Sequence, residues 1–348
     1  MRLSPRAMGL LAAVVTVTIW TGFIVIARAS AQRTLTPFDI ALMRITGASL
    51  VLLPWGWWMV RRRKAAHAAE AARAGADGGV PPSSLLGISP LPLRTTALLG
   101  SFGGLLYALL AYSGFFHAPA THAAVLMPGS LPLWTALLAA ALLRDHITPL
   151  RAAGLALIVA GDLLVGGRSL LAAFSGGDVW KGDVLFMLAA ACWATYSVLA
   201  RRHAVDAVQA TIAITAFACL VYLPAYALLV ALGAVTSHLA MAPWSEIVFQ
   251  MIFQGCGSVV ISGISFTRMI QHYGPVRSTM ITALVPGLSA IGAVVFLHEP
   301  MYWNLVAGLL LVTMGILLGV LRKPGPGAAH AAAPAAPTTP VASSVKPR

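Results

Sequence analysis

Residues 132–161 read PLWTALLAAALLRDHITPLRAAGLALIVAG, and residues 286–315 read PGLSAIGAVVFLHEPMYWNLVAGLLLVTMG. Aligned at a shift of 154, they set Pro132 on Pro286, Asp145 on Glu299, Gly154 on Gly308 and Gly161 on Gly315. Leu143 then meets Leu297, Leu155 meets Leu309, and Leu157 meets Leu311. Each stretch is apolar, briefly charged, then apolar again, as two membrane helices joined by a tight hairpin would be. A second shift, of 173, sets Gly9 on Gly182, Trp20 on Trp193, Ala27 on Ala200 and Arg28 on Arg201. The chain therefore reads as a duplication, with one unit over 8–167 and the other over 181–321.

Composition agrees with that reading. Of 348 residues, 59% are hydrophobic and only 9% are charged, whereas about 25% charged is usual for a soluble protein. So few ionic groups cannot cover a water-soluble globule of this size, which excludes a soluble enzyme and a disordered or fibrous chain. A window of about 20 apolar residues finds ten spans, near 8–28, 37–60, 95–116, 119–143, 149–167, 181–200, 209–233, 244–267, 274–297 and 301–321. Five spans per unit is an odd number, so the second unit enters from the opposite side of the membrane. The expected fold class is an all-α polytopic membrane protein of ten transmembrane helices, built as two inverted five-helix repeats. Such repeats hold a solute site near the midplane and rock around it.

The net charge of +13 is explained by placement. With the amino terminus inside, 18 of the 23 Lys and Arg fall on inner segments and four on outer ones (Arg28, Arg33, Arg168 and Lys181), with Arg44 inside a span. That bias predicts both termini in the cytoplasm and gives no reason to expect nucleic acid. A basic, Gly/Pro-rich cytoplasmic linker is expected over 61–94, and Arg61 to Lys64 at its start favour anionic lipid head groups. The Ala-, Pro- and Thr-rich tail, 322–348, is expected to be disordered. Ala29-Ser30-Ala31 resembles a signal cleavage site, but the apolar run before it, about 20 residues, exceeds a signal core of about 7–15. Cys192, Cys219 and Cys256 have no metal-ligand spacing and read as buried hydrophobes; no metal or cofactor is expected.

The duplicated Pro–acidic–Gly–Gly series, Trp20 within span one and the Pro37-to-Arg44 stretch opening span two resemble the drug/metabolite transporter superfamily, specifically its EamA-type ten-helix members. The resemblance covers about 8–321, without the basic linker and the tail. It implies an inner-membrane carrier, often an exporter of amino acids, metabolites or drugs. Two departures stand out: Asp145 replaces the usual Glu, and span one has no acidic residue. Related small multidrug carriers use a Glu there for proton coupling, a part that nothing at 8–28 of this chain can play.

An ionisable group within a membrane helix is a functional candidate by default. Arg44, about six residues and 9 Å into span two, either pairs with Asp162 at similar depth, faces the cavity and meets a substrate carboxylate, or snorkels to the outer interface. Gln250, Gln254, Ser258, Ser262 and Ser265 make one polar face on span eight, which lines a wet cavity or bonds a neighbouring helix. Trp20 and Trp193 stack on a solute or pack in the core. His122 is either a packed imidazole or a proton-linked group. Pro132 and Pro286 bend spans four and nine, as hinges or as fitted kinks. Asp145 and Glu299 read as hairpin-fixing residues. The sequence favours a secondary transporter; a membrane-embedded enzyme such as an intramembrane hydrolase is the alternative, although no HExxH, GxSxG or nucleotide loop is present.

Overall fold

A computed structural model describes residues 5–74 and 82–320. Among these the chain forms ten helices: α1 (Pro5–Ala31), α2 (Pro37–Ala74), α3 (Leu93–His117), α4 (Ala120–Leu143), α5 (Pro149–Ala173), α6 (Val179–Arg202), α7 (Ala207–Ala231), α8 (244–282), α9 (Leu284–Leu297) and α10 (Trp303–Val320). Eight are long and apolar enough to cross a membrane, and the last two are shorter but apolar. Large side chains such as Leu10, Leu11, Leu163, Leu310 and Phe296 are exposed around the outside of the bundle, where lipid is the solvent. The expected tail, 322–348, lies outside the described residues.

Local chemistry fixes several helix ends. Thr36 and Asp39 form a reciprocal capping box on α2: the Asp39 carboxylate accepts from the Thr36 backbone at 2.9 Å, and the Asp39 N–H donates to the Thr36 hydroxyl at 3.2 Å. Asp206 caps α7 by accepting from Val208 and Gln209. α4 and α9 end alike, in left-handed residues Arg144 (φ 57°) and His298 (φ 54°). The next amides, of Asp145 and Glu299, bond back to Ala139 and Ala293, each at 3.3 Å. Residues matched at shift 154 thus adopt the same backbone.

Helix packing repeats the same relation. α1 lies against α8 as α6 lies against α3, α1 against α9 as α6 against α4, and α2 against α8 as α7 against α3. The equivalent helices α5 and α10 cross antiparallel, Gly154 meeting the Gly315 carbonyl and Gly161 that of Gly308. An axis that turns a helix into its own antiparallel neighbour is perpendicular to both. For a bundle of spanning helices, that axis lies in the membrane plane.

Three expectations need correction. The chain does not leave its helix at Arg61: α2 runs on to Ala74, and residues 82–92 form a turn closed by a Ser84–Ser89 bridge, with Leu91 buried. Lys, Arg, Ala and Glu are good helix formers, so loss of hydrophobicity marks the edge of lipid and not the end of the helix. Span nine does not begin at 274; α8 continues to Thr282 and the chain breaks at Ala283. Pro132 and Pro286 do not kink continuous helices. The breaks come before them, at Met127–Ser130 and Ala283, so α4 is two helical segments, Ala120–Leu126 and Leu131–Leu143, and each proline sits in the first turn of the segment after its break, where its missing N–H costs nothing.

Sequence also gave no sign of the widened, π-helical turns within α3 (Ser101–Leu106) and α8 (Met251–Ile261). In the latter, Gly255 lies against Gly47 of α2, and a Cβ on Gly47 would stand 2.2 Å from the Met251 carbonyl oxygen. Gly47→Ala is expected to destabilise the bundle by about 1–3 kcal/mol, read as a lower melting temperature in detergent. Gly167→Ala, with open space around it, serves as the control and should leave melting unchanged. Equal melting of the two variants would mean that α2 and α8 part freely.

Candidate functional site

The close approach of Gly47 and Gly255 sets the register from which a site is built. Arg44 lies one turn before Gly47 and Ser258 one turn beyond Gly255. The Arg44 guanidinium nevertheless reaches Ser258, Nη1 donating to its hydroxyl at 3.0 Å. The side chain therefore runs into the bundle, away from the Pro37 end of α2, and does not snorkel. Its second partner is the Tyr112 hydroxyl of α3, at 3.5 Å. The Phe23 ring of α1 lies beneath it at 5.6 Å, a cation–π contact. Tyr112 in turn donates to Gln254 Oε1 at 3.1 Å.

Four helices thus converge on one cation. Arg44 is only 9% exposed, yet every contact recorded for it is neutral, and among the described residues it forms no ion pair. The expected Arg44–Asp162 pair is not formed: Asp162, on α5, is buried with both carboxylate oxygens unpartnered. The amide nitrogen of Gln254, fully buried, also lacks a partner. Among the described residues the site thus holds a cation and a spare amide donor with no anion to meet them.

The other sequence candidates divide between this cluster and its surroundings. Gln254 and Ser258 belong to it. Gln250 instead donates to Ser30 of α1 at 2.6 Å, and Ser262 turns back on the Ser258 carbonyl. Trp20 packs on Phe266 at 5.1 Å, while Trp193 packs on Tyr107 at 4.9 Å and on Tyr196 at 5.1 Å. The two tryptophans therefore occupy matched aromatic pairs on opposite units. His122 stands apart from the cluster: its Nδ1 meets Asp183 Oδ1 at 2.8 Å, and the other oxygen of Asp183 accepts from Ser169. In that order the carboxylate lies between serine and imidazole, so the imidazole is not bonded to the hydroxyl it would have to activate in a hydrolase.

Sequence reading missed Tyr112, Phe23 and Asp183 as neighbours of these candidates. Aromatic residues in apolar helices carry no signal of which way they face, and Asp183, in the second turn of α6, reads from sequence as part of the polar edge of a span. It also undervalued the acidic pair. Glu299 accepts from Arg28 Nε at 3.3 Å and from the Ala120 and Thr121 amides at 2.9 Å, capping α4 from the other unit. Asp145 pairs with Arg201 at 2.5 Å. Arg28 matches Arg201 and Glu299 matches Asp145, so the two ion pairs are the same contact made at opposite ends of the bundle.

Comparison with known proteins agrees with this architecture. The model of the EamA-like transporter family matches residues 7–167 and 180–321. The uncharacterised transporter YyaM of Bacillus subtilis is 27% identical over 245 residues, covering 68% of this chain and 78% of that protein. An uncharacterised transporter of Archaeoglobus fulgidus is 24% identical over 313 residues, covering 88% and 96%. A solved crystal structure, 20% identical and covering 90% of this chain and 97% of its own, superposes with a TM-score of 0.51, which speaks for the fold alone. Two inverted five-helix units in a multi-pass bundle are those of a membrane transporter. The chain belongs to the EamA-like transporter family.

Proposed function

We propose that the protein is a secondary carrier that exports a small metabolite, amino acid or drug bearing an acidic group, by alternating access between its inverted repeats. The observation that carries this is Arg44: a buried guanidinium with only neutral partners beside an unused amide donor on Gln254. A lone buried cation is costly unless something supplies the opposite charge, and a carboxylate accepts well from a guanidinium fork. Phe23 and Tyr112 give the non-ionic part of the solute apolar and aromatic surface. Transport follows from the in-plane two-fold, because units with matched contacts can exchange conformations with little change in packing.

The carrier would lie in the cell inner membrane with both termini in the cytoplasm, as the basic bias favours. The extended end of α2 stacks Arg61 on Trp57 and Arg62 on Trp58, both at 4.3 Å, an arrangement suited to anionic head groups. Cells with and without the gene are compared by an untargeted panel of internal and external metabolites. Internal accumulation of an organic acid on deletion is the expected result. A changed product pool with no change in distribution across the membrane would sink export and favour an enzyme.

A further inference from the structure

We infer that Asp162 is the seat of a coupling proton, reached through His122, Asp183, Ser169 and the notch at Gly166. The inference goes beyond the carrier reading, since it assigns the ion and not the solute. Asp162 is 7% exposed, lies in the membrane-spanning part of α5, and neither of its oxygens has a hydrogen-bond donor. A bare carboxylate in such a place is costly; a proton removes its charge. An alkali cation would need several oxygens around it, and among the described residues of the helices packed on α5 the only buried side-chain oxygen without a partner is Asn304 Oδ1.

The surroundings supply a route for protons, and among the described residues no cation pairs with Asp162. α5 is packed by α4, α6 and α10. α4 brings only His122 as a titratable group, and α10 none; its Asn304 donates to the Leu164 carbonyl at 3.4 Å. α6 brings Asp183, with Lys181 directed to Asp178 at 2.7 Å. Its Cys192 and Tyr196 lie further along, and Arg201 and Arg202 sit at its far end. On α5 itself, Arg168 is turned to the Tyr302 ring at 5.2 Å, and Arg151 lies at the opposite end.

Asp162, Gly166 and Ser169 follow one another on a single face of α5. Ser169 donates to Asp183, Asp183 holds the His122 ring, and a Cβ on Gly166 would stand 3.9 Å from Asp183. The bare glycine leaves room between that network and Asp162, about 6 Å further along the helix. A proton taken up by the His122 ring passes to the Asp183 carboxylate it is bonded to and then, by way of Ser169 and water over Gly166, to an Asp162 oxygen. The imidazole is left neutral and the carboxylate becomes the acid.

The test uses the full chain in phospholipid vesicles and needs no solute, so its failure is separable from failure of the carrier reading. Infrared spectra at neutral pH are expected to show the C=O band of a buried protonated carboxyl, lost in Asp162→Asn and kept in Asp183→Asn. Exchange of that band in heavy water should slow by at least about tenfold in His122→Ala, which removes the positioned relay, and should also slow in Gly166→Val. Should Asp162→Asn fail to fold, the exchange rates of the other variants carry the test. Absence of the band in the wild type, its survival in Asp162→Asn, or its loss on adding sodium ions overturns the proposal.

Discussion

Replacement of Arg44 by glutamine is expected to weaken solute binding by about 2–5 kcal/mol, roughly thirtyfold or more, while the melting temperature stays near that of the wild type. The two halves of this expectation have different causes. Binding falls because the solute's acidic group would enter a site whose remaining unused donor, Gln254 Nε2, and neighbouring Tyr112 and Ser258 hydroxyls carry no full charge. Stability holds because the guanidinium has no carboxylate partner among the described residues, so no buried ion is orphaned by its loss. Glutamine retains a donor for Ser258. Arg44→Lys keeps the charge but not the planar fork over Phe23 and toward two hydroxyls, and should fall between the two. Solute uptake into inside-out vesicles, measured for the organic acid found by the metabolite comparison, reads the effect. Wild-type transport by Arg44→Gln, or a collapse of melting without a change in affinity, would make Arg44 a structural strut.

The second large effect concerns the duplicated ion pair. Glu299→Gln is expected to destabilise the bundle by about 3–5 kcal/mol, because it leaves the Arg28 guanidinium uncompensated and weakens the cap on two amides of α4. Glu299 is 9% exposed and Arg28 20%. The matched change Asp145→Asn breaks a pair exposed at 38% and 58% and should cost no more than about 1 kcal/mol. Melting of both variants at two salt concentrations distinguishes them further, since only the exposed pair is screened. Equal losses would show that Glu299 contributes through its hairpin alone. The two ends of the bundle therefore differ: one carries a dry, capped pair and the other a wet one.

Most of the architecture was legible because the bilayer imposes it. Ten apolar runs, an odd number per unit, and Pro–acidic–Gly–Gly series at one spacing led directly to inverted five-helix repeats. The glycines at 154, 161, 308 and 315 proved to be the points where α5 and α10 touch. Helix ends were less legible wherever apolarity and helix propensity part company, as in the basic end of α2. The boundary between α8 and α9 was misplaced at 274 because a window of apolar residues does not see the helix that continues through the more polar 268–282.

Of the candidate site, the sequence alone picked out the ionisable and amide residues that lipid would not tolerate: Arg44, Asp162, His122, Gln250 and Gln254. Periodicity says which residues share a helix face, but the partner of a long side chain depends on how neighbouring helices are registered, and that register is set by contacts distant in the chain. Only the tertiary structure therefore decided that Arg44 turns toward Ser258, Tyr112 and Phe23, that Asp162 stands unpaired, that His122 belongs with Asp183, and that Glu299 of one unit caps a helix of the other.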